Sequence, residues 1–167
     1  MDAEYEDIPR NGDERSTLLA FLEWQRGTLG RKCAGLEPDQ LRLRSAEPST
    51  LSLLGLVRHM ADVERGWFRR TLAGEDVEPR YSTDDDIDGE FDNVDAADVS
   101  EALASWEEER ARADDIISRR ALDATGHRRD GTEVSMRWIL NHMIEEYSRH
   151  NGHADLLRQR IDGATGY

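Results

Sequence analysis

Two residues near the C-terminal end of the chain could hold a metal ion together. Glu146 and His150 are four residues apart, in a segment whose apolar residues recur with helical spacing. Side chains four residues apart project from the same face of a helix. At about 100° per residue, His150 falls within the apolar stripe and Glu146 lies at its edge. Both groups then face the core, where a polar or charged group without a partner is costly.

A third candidate ligand, His59, lies on another segment with helical spacing. It is at the edge of an apolar stripe made of Leu53, Leu56, Met60, Val63 and Trp67. Three small residues, Ser52, Gly55 and Gly66, project along nearly the same line as His59 and would leave space beside it. Three protein ligands next to an open position form a catalytic metal site. The spacing therefore indicates a divalent metal site made of His59, Glu146 and His150.

The same residues also allow an interpretation without a metal. Glu146 and His150 could form an intrahelical hydrogen bond, and His59 could be a core histidine whose nitrogens are satisfied. His153 lies about 20° from Glu146 around the helix. It could be an alternative ligand, or it could form a hydrogen bond to a ligand without binding the metal itself. His142 lies one turn before Glu146 and fits a packing or surface role better.

The elements that must position these residues are four long helices, predicted over approximately residues 13–34, 49–73, 99–122 and 135–161. Two linkers, residues 36–48 and 75–98, and a turn region at 123–133 that could form a short hairpin connect them. No segment is a convincing strand, so we expect an all-α four-helix bundle. Residues 1–13 are expected to be a disordered acidic lead-in, and residues 14–167 a single bundle domain. Gly152 interrupts the last helix, where it could admit a close neighbour or a ligand.

Composition limits the possible partners. The formal net charge of -14 opposes binding to nucleic acid and to an anionic membrane surface. No apolar run approaches the roughly 20 residues that span a bilayer, and the acidic start of the chain does not resemble a signal peptide. The one cysteine, Cys33, excludes an intramolecular disulfide and is expected to be buried. We therefore expect a cytoplasmic protein.

The segments around the candidate ligands resemble the DinB-like metalloenzyme superfamily, and within it the actinobacterial mini-circle protein branch. Residues 56–68 read Leu-Val-Arg-His-Met-Ala-Asp-Val-Glu-Arg-Gly-Trp-Phe, and residues 145–158 read Glu-Glu-Tyr-Ser-Arg-His-Asn-Gly-His-Ala-Asp-Leu-Leu-Arg. Members typically carry one histidine on the second helix and His-x-x-x-His on the last. Here Glu146 takes the first place of that pair, which is similar to the His, Glu, His triad of mycothiol-dependent maleylpyruvate isomerase. The resemblance covers roughly residues 14–162.

The resemblance implies an up-up-down-down bundle, often dimeric, that binds zinc or nickel through His59, Glu146 and His150. It also implies a transferase or isomerase that uses a low-molecular-weight thiol, such as mycothiol, on a small electrophile. In that hypothesis Trp67 and Tyr147 are candidate pocket residues. Two alternatives stay open: a non-catalytic metal protein, and a helical interaction module without a metal. Phe68 and Leu72 are candidates for a surface that packs against a second copy.

Overall fold

The computed structural model describes residues 5–166 and is mostly helical. A 3-10 helix, Tyr5–Asp7, precedes the α-helices, which are α1 (Glu14–Cys33), α2 (Pro38–Arg42), α3 (Leu53–Glu64), α4 (Gly89–Asp92), α5 (Val99–Ser118) and α6 (Met136–Asp162). A π-helical segment, Arg65–Leu72, continues α3 without a break. Two short antiparallel strands, β1 (Thr125–His127) and β2 (Glu133–Ser135), form a hairpin before α6.

Side chains that cap the helices explain where the long helices begin. Each capping oxygen accepts a hydrogen bond from a backbone N–H of the first turn, which would otherwise lack a partner. The capping residues are Asp13, Ser52, Asp98 and Ser135. α6 ends at Gly163, whose φ of 79° is in the left-handed region that favours glycine.

The predicted helices are found with some changed boundaries. The second helix begins at Leu53 rather than near residue 49, because Ser52 is its cap, and the third ends at Ser118 rather than near residue 122. The linkers contain the short helices α2 and α4, which the spacing of apolar residues did not indicate. The hairpin expected within residues 123–133 is found, but its second strand, Glu133–Ser135, extends past the predicted end. The chain is therefore mostly helical with one small two-stranded sheet.

The four long helical segments share one core. α1 packs mainly along α6, and α3 packs mainly along α5. The largest fully buried apolar side chains come from all four, and they include Leu22, Leu56, Phe68, Trp106 and Ile139. No helix within residues 5–166 is long and apolar enough to cross a membrane.

The prediction of a disordered segment over residues 1–13 falls in part on residues 1–4, which lie outside the described residues. Farther along this segment, the ring of Tyr5 lies 5.2 Å from the ring of Trp24, and Ile8 is buried.

The π-helical segment changes which side chains face the core. Its backbone bonds join residues five apart, as in the 2.9 Å bond from the N–H of Ala73 to the carbonyl of Phe68. Each π turn holds more residues than an α turn, so the predicted apolar stripe does not continue past Glu64. Phe68 and Leu72 are buried, and Trp67 is only partly buried. The suggestion that Phe68 and Leu72 face a second copy is therefore wrong, and a dimer stays a prediction.

A buried ion pair joins α1 to α3. The guanidinium of Arg26 donates two hydrogen bonds of 2.7 Å to the two carboxylate oxygens of Glu64, and both residues are shielded from water. The hydroxyl of Tyr147, on α6, donates to Glu64 at 2.8 Å. The indole N–H of Trp106, on α5, donates to that hydroxyl at 2.9 Å. One chain of hydrogen bonds thus connects the four long helical segments.

We expect Glu64→Ala to lower the free energy of unfolding by about 3–5 kcal/mol, because it leaves the Arg26 cation buried without its main partner. The double variant Arg26→Met/Glu64→Leu should recover part of this loss, because it removes both charges. Urea denaturation followed by circular dichroism measures both changes. Glu107→Ala, which removes an exposed glutamate of α5, is the control and should cost less than about 1 kcal/mol. Additive losses from Arg26→Met and Glu64→Leu would contradict the coupling.

Candidate metal centre

α3 and α6 bring the three predicted ligands together. The Nε2 atom of His59 and the Nε2 atom of His150 each lie 3.3 Å from the same carboxylate oxygen of Glu146. The two imidazole rings are 4.7 Å apart, centre to centre. One nitrogen of each histidine and one oxygen of Glu146 lie within 4.8 Å of one another. Two imidazoles and a carboxylate thus converge on one small volume.

These distances fit long hydrogen bonds and also fit the spacing of ligand atoms around a shared cation. A charge-assisted N–H···O bond is usually about 2.7–2.9 Å long, which is shorter than the two contacts of 3.3 Å. Ligand atoms about 2.0–2.1 Å from a tetrahedral zinc ion are separated from each other by about 3.3–3.4 Å. Two of the three separations between ligand atoms thus match a zinc site, and the three side chains could hold a divalent metal ion.

The linker of residues 75–98 adds a residue to the site that helical spacing did not indicate. Glu90, on α4, is buried, and its Oε1 atom lies 3.2 Å from Nδ1 of His59, the ring nitrogen that faces away from Glu146. The ring of Phe91 stacks on His59 with a centre distance of 5.0 Å. A carboxylate on the second nitrogen fixes the orientation of a metal-binding histidine. Glu90 lies on a short helix within an acidic linker, about 30 residues beyond His59. The spacing of residues along one helix therefore could not predict that it contacts His59.

The two histidines of the cluster differ in their pKa values, because each has different charged neighbours. Burial works to lower the pKa of His59, but hydrogen bonds and charges from Glu146 and Glu90 outweigh it and raise this pKa to about 9. The hydrogen bond to His59 lowers the pKa of Glu146 to about 2. Burial, followed by the charge of His59, lowers the pKa of His150 to about 4. His59 is therefore a cation at neutral pH, between two carboxylates, and His150 is neutral.

The other two histidines of α6 lie outside this cluster. The Nδ1 atom of His153 is 3.4 Å from Nδ1 of His150, so His153 contacts the nitrogen that faces away from Glu146. His142 packs between two tryptophans, with ring-centre distances of 4.7 Å to Trp67 and 5.1 Å to Trp138. His142, Glu145 and Glu146 also have ligand atoms within 4.8 Å of one another. However, Glu145 is exposed and accepts a 2.6 Å hydrogen bond from Arg149.

A cavity of about 400 Å³ opens beside His59. Both His59 and Glu90 line it, whereas Glu146 and His150 do not. Its walls come from α3, the π-helical segment, the loop before α4 and the turn of the hairpin, and include Val63, Gly66, Trp67, Arg70, Ser82 and Arg128. The hairpin approaches closely because Gly126 has no side chain; a Cβ there would lie 2.1 Å from the carbonyl oxygen of Thr71.

The structure corrects the expected surroundings of His59. Ser52 is the cap of α3, and the space beside Gly55 is filled by Phe91, whose ring would be 3.1 Å from an added Cβ. Gly66 does line the cavity, as does Trp67. Tyr147 does not line it, because it is fully buried and bonded to Glu64.

Two further expectations concern Gly152 and Cys33. Gly152 is exposed and faces open space: no atom of residues 5–166 outside its own helix turn lies within 4 Å of the position of an added Cβ, so it makes no close contact there. Cys33 is buried as predicted, and burial raises the pKa of its thiol to about 12. Cys33 is therefore a packing residue at neutral pH, because the thiolate is the reactive form.

We expect the imidazole of His59 in the metal-free protein to lose its proton near pH 9, well above the ordinary value of 6.5. Nuclear magnetic resonance of the histidine side chains measures this pKa directly. Glu90→Gln should move it down toward 6.5, because one of the two carboxylates that stabilise the cation becomes neutral. Glu145→Gln is the matched control, because Glu145 does not contact His59, and it should leave the value near 9. A parent protein in which His59 titrates near 6.5 would contradict this arrangement.

Comparison with known proteins identifies the family of this chain. No curated protein matches the sequence. The family model described as mycothiol-S-transferase matches residues 17–163, which include both helices of the cluster. This family is a member of the DinB-like superfamily, so the resemblance seen at His59, Glu146 and His150 is confirmed at the level of the superfamily. Because the match spans most of the sequence, the chain belongs to the mycothiol-S-transferase family.

Proposed function

We propose that this protein binds one divalent metal ion through His59, Glu146 and His150 and transfers a mycothiol-type thiol to small electrophiles. One observation carries the proposal: the Nε2 atoms of both histidines lie 3.3 Å from the same oxygen of Glu146, beside a cavity. The family match supports the thiol and the transfer reaction.

The donor set supports zinc or nickel as the metal. Imidazole nitrogen suits both ions, and two imidazoles with one carboxylate form a common set for catalytic zinc. The cavity reaches His59, so a small molecule can approach the cluster from that side. A divalent ion at such a site lowers the pKa of a thiol that binds to it, which supplies a thiolate at neutral pH.

The residues around the ligands hold them in position. Glu90 accepts the Nδ1–H hydrogen of His59 and so directs its Nε2 atom toward Glu146. We propose that His153 supports His150 in the same way through their Nδ1 contact, rather than acting as a fourth ligand. Three protein ligands then leave one position for an incoming group.

The cavity is of a size that small-molecule sites commonly have. Val63 and the face of Trp67 give it apolar surface for the body of an electrophile. We further propose that the four long helical segments follow the up-up-down-down order of the DinB-like fold. This order is compatible with the packing of α1 on α6 and of α3 on α5, and the directions of the helices are part of the proposal.

Untagged protein incubated with zinc or nickel and dialysed should retain about one ion per chain. His59→Ala and His150→Ala should each retain less than about a tenth as much after the same dialysis, because two ligands bind far more weakly than three. His142→Ala, which removes a histidine from the same helix as His150, is the control and should keep the metal. Elemental analysis measures the content, and a parent protein without metal would overturn the proposed site.

The proton on His59 should also compete with the metal. Since the pKa of His59 is about 9, the metal-free form is protonated at neutral pH, and this proton must leave when the metal binds. The apparent affinity should therefore rise about tenfold per pH unit between pH 7 and 8 and level off above pH 9. Calorimetry in buffers with different ionisation enthalpies counts the released proton.

Metal-loaded protein should accelerate the reaction of mycothiol with 1-chloro-2,4-dinitrobenzene, in which the sulfur replaces chloride on the ring and the thiol proton passes to solvent. His150→Ala should reduce the rate to that of the reaction without protein, because the site loses its metal. Absorbance of the aryl thioether follows the reaction. A protein that keeps its metal and accelerates no reaction between this thiol and a panel of electrophiles would be a non-catalytic metal protein instead.

A further inference from the structure

One partly buried arginine of the cavity, Arg70, forms no ion pair with a carboxylate of residues 5–166. Arg70 lies on the π-helical segment and lines the cavity together with His59. Its Nε atom is buried and makes no hydrogen bond within residues 5–166. No carboxylate of the described residues lies within ion-pair distance of it. By contrast, Arg65 and Arg69 of the same segment both bind the buried carboxylate of Glu109, at 2.7 and 3.2 Å.

The acidic side chains that line the cavity form hydrogen bonds to groups other than Arg70. Asp62 accepts backbone N–H bonds of 2.6 and 3.0 Å from Arg80 and Tyr81. Glu90 is bonded to His59, and Asp130 accepts the backbone N–H of Thr132 at 2.9 Å. These carboxylates stabilise the loops and the histidine around the cavity, and none of them forms an ion pair with Arg70; the charge of Asp62 attracts Arg70 only from a longer distance.

Two further arginines beside Arg70 make the cavity more favourable for an anion. Arg129 lines the cavity and is paired with Glu78, whereas Arg128 lies over the ring of Trp67 at 5.6 Å. Burial, followed by the charge of Arg129, lowers the pKa of Arg70, and the charges of Glu78 and Asp62 offset this only in part. A guanidinium that is partly desolvated beside other cations is stabilised by an anionic ligand that accepts its N–H groups.

We propose that Arg70 binds the carboxylate of a small molecule that enters this cavity, and that the electrophilic substrate carries this carboxylate. The second half of this inference rests on the proposed function; the first half does not. A planar carboxylate matches the fork of guanidinium donors. Because three acidic residues also line the cavity, a single negative charge fits better than the double charge of a phosphate monoester. Arg70 and His59 line the same cavity, so a substrate held at Arg70 extends toward the proposed metal site.

Benzoate and benzamide are matched probes, because they have the same ring and differ in charge. Calorimetry with metal-free protein should show benzoate binding at least about tenfold more tightly than benzamide. Arg70→Gln should weaken benzoate about tenfold or more and leave benzamide unchanged. Arg70→Lys should retain part of the affinity, because it keeps the charge and loses the fork. Arg112→Gln removes an exposed arginine of α5 outside this cavity and is the control for the change of net charge.

Three results would overturn the proposal. One is equal benzoate binding by the parent protein and Arg70→Gln. Another is benzoate binding that requires added zinc, because the carboxylate would then be a metal ligand. The third is tighter binding of phenylphosphate than of benzoate. Unchanged benzamide binding and an unchanged melting temperature in Arg70→Gln show that the cavity is intact. The main titrations use metal-free protein without thiol or turnover, and zinc is added only as a comparison, so failure here is distinguishable from failure of the transferase assay.

Discussion

A guanidinium and a carboxylate that are both out of contact with water depend on each other, and Arg26 and Glu64 have this relation. Their position determines how the helices can be arranged, because any shift of α1 against α3 would separate two desolvated charges. The pair also reaches the candidate site. Glu64 follows His59 on α3, and Tyr147, which donates to Glu64, is the neighbour of Glu146 on α6. The same hydrogen bonds that hold the core together thus set the spacing between the ligands.

What could be predicted from the sequence was the part of the site that a regular helix creates. Glu146 and His150 share a face because of their spacing alone, and the distance from each histidine nitrogen to Glu146 then depended on packing. Nothing in the spacing indicated the π turns after Glu64, since a π-helical segment is stabilised by its tertiary surroundings. A signal for the buried ion pair was present: Arg26 lies four residues after Leu22, and Glu64 four after Met60, so opposite charges occupy the apolar faces of two helices.

The charge around the cavity differs from the net charge of the chain. The chain carries a net charge of -14, yet the cavity beside His59 is lined by three arginines, and two of them, Arg70 and Arg128, form no ion pair with a carboxylate of residues 5–166. The acidic excess is spread over exposed faces and loops, where it is solvated, and it opposes binding to polyanions. Local charge inside a cavity decides which small molecules enter it, because the surrounding protein screens poorly. Net charge and ligand preference are therefore separate properties of this protein.

The cavity is built from two kinds of structure. The candidate ligands belong to α3 and α6, which pack in the core, whereas several walls of the cavity belong to the loop before α4 and to the hairpin turn. Loops of this kind accept changes in length and sequence at little cost to the core. Divergence among relatives can therefore replace the walls and leave the ligands in place. The candidate ligands can then be kept while the walls of the cavity change. One helical scaffold can in this way accommodate many different small molecules.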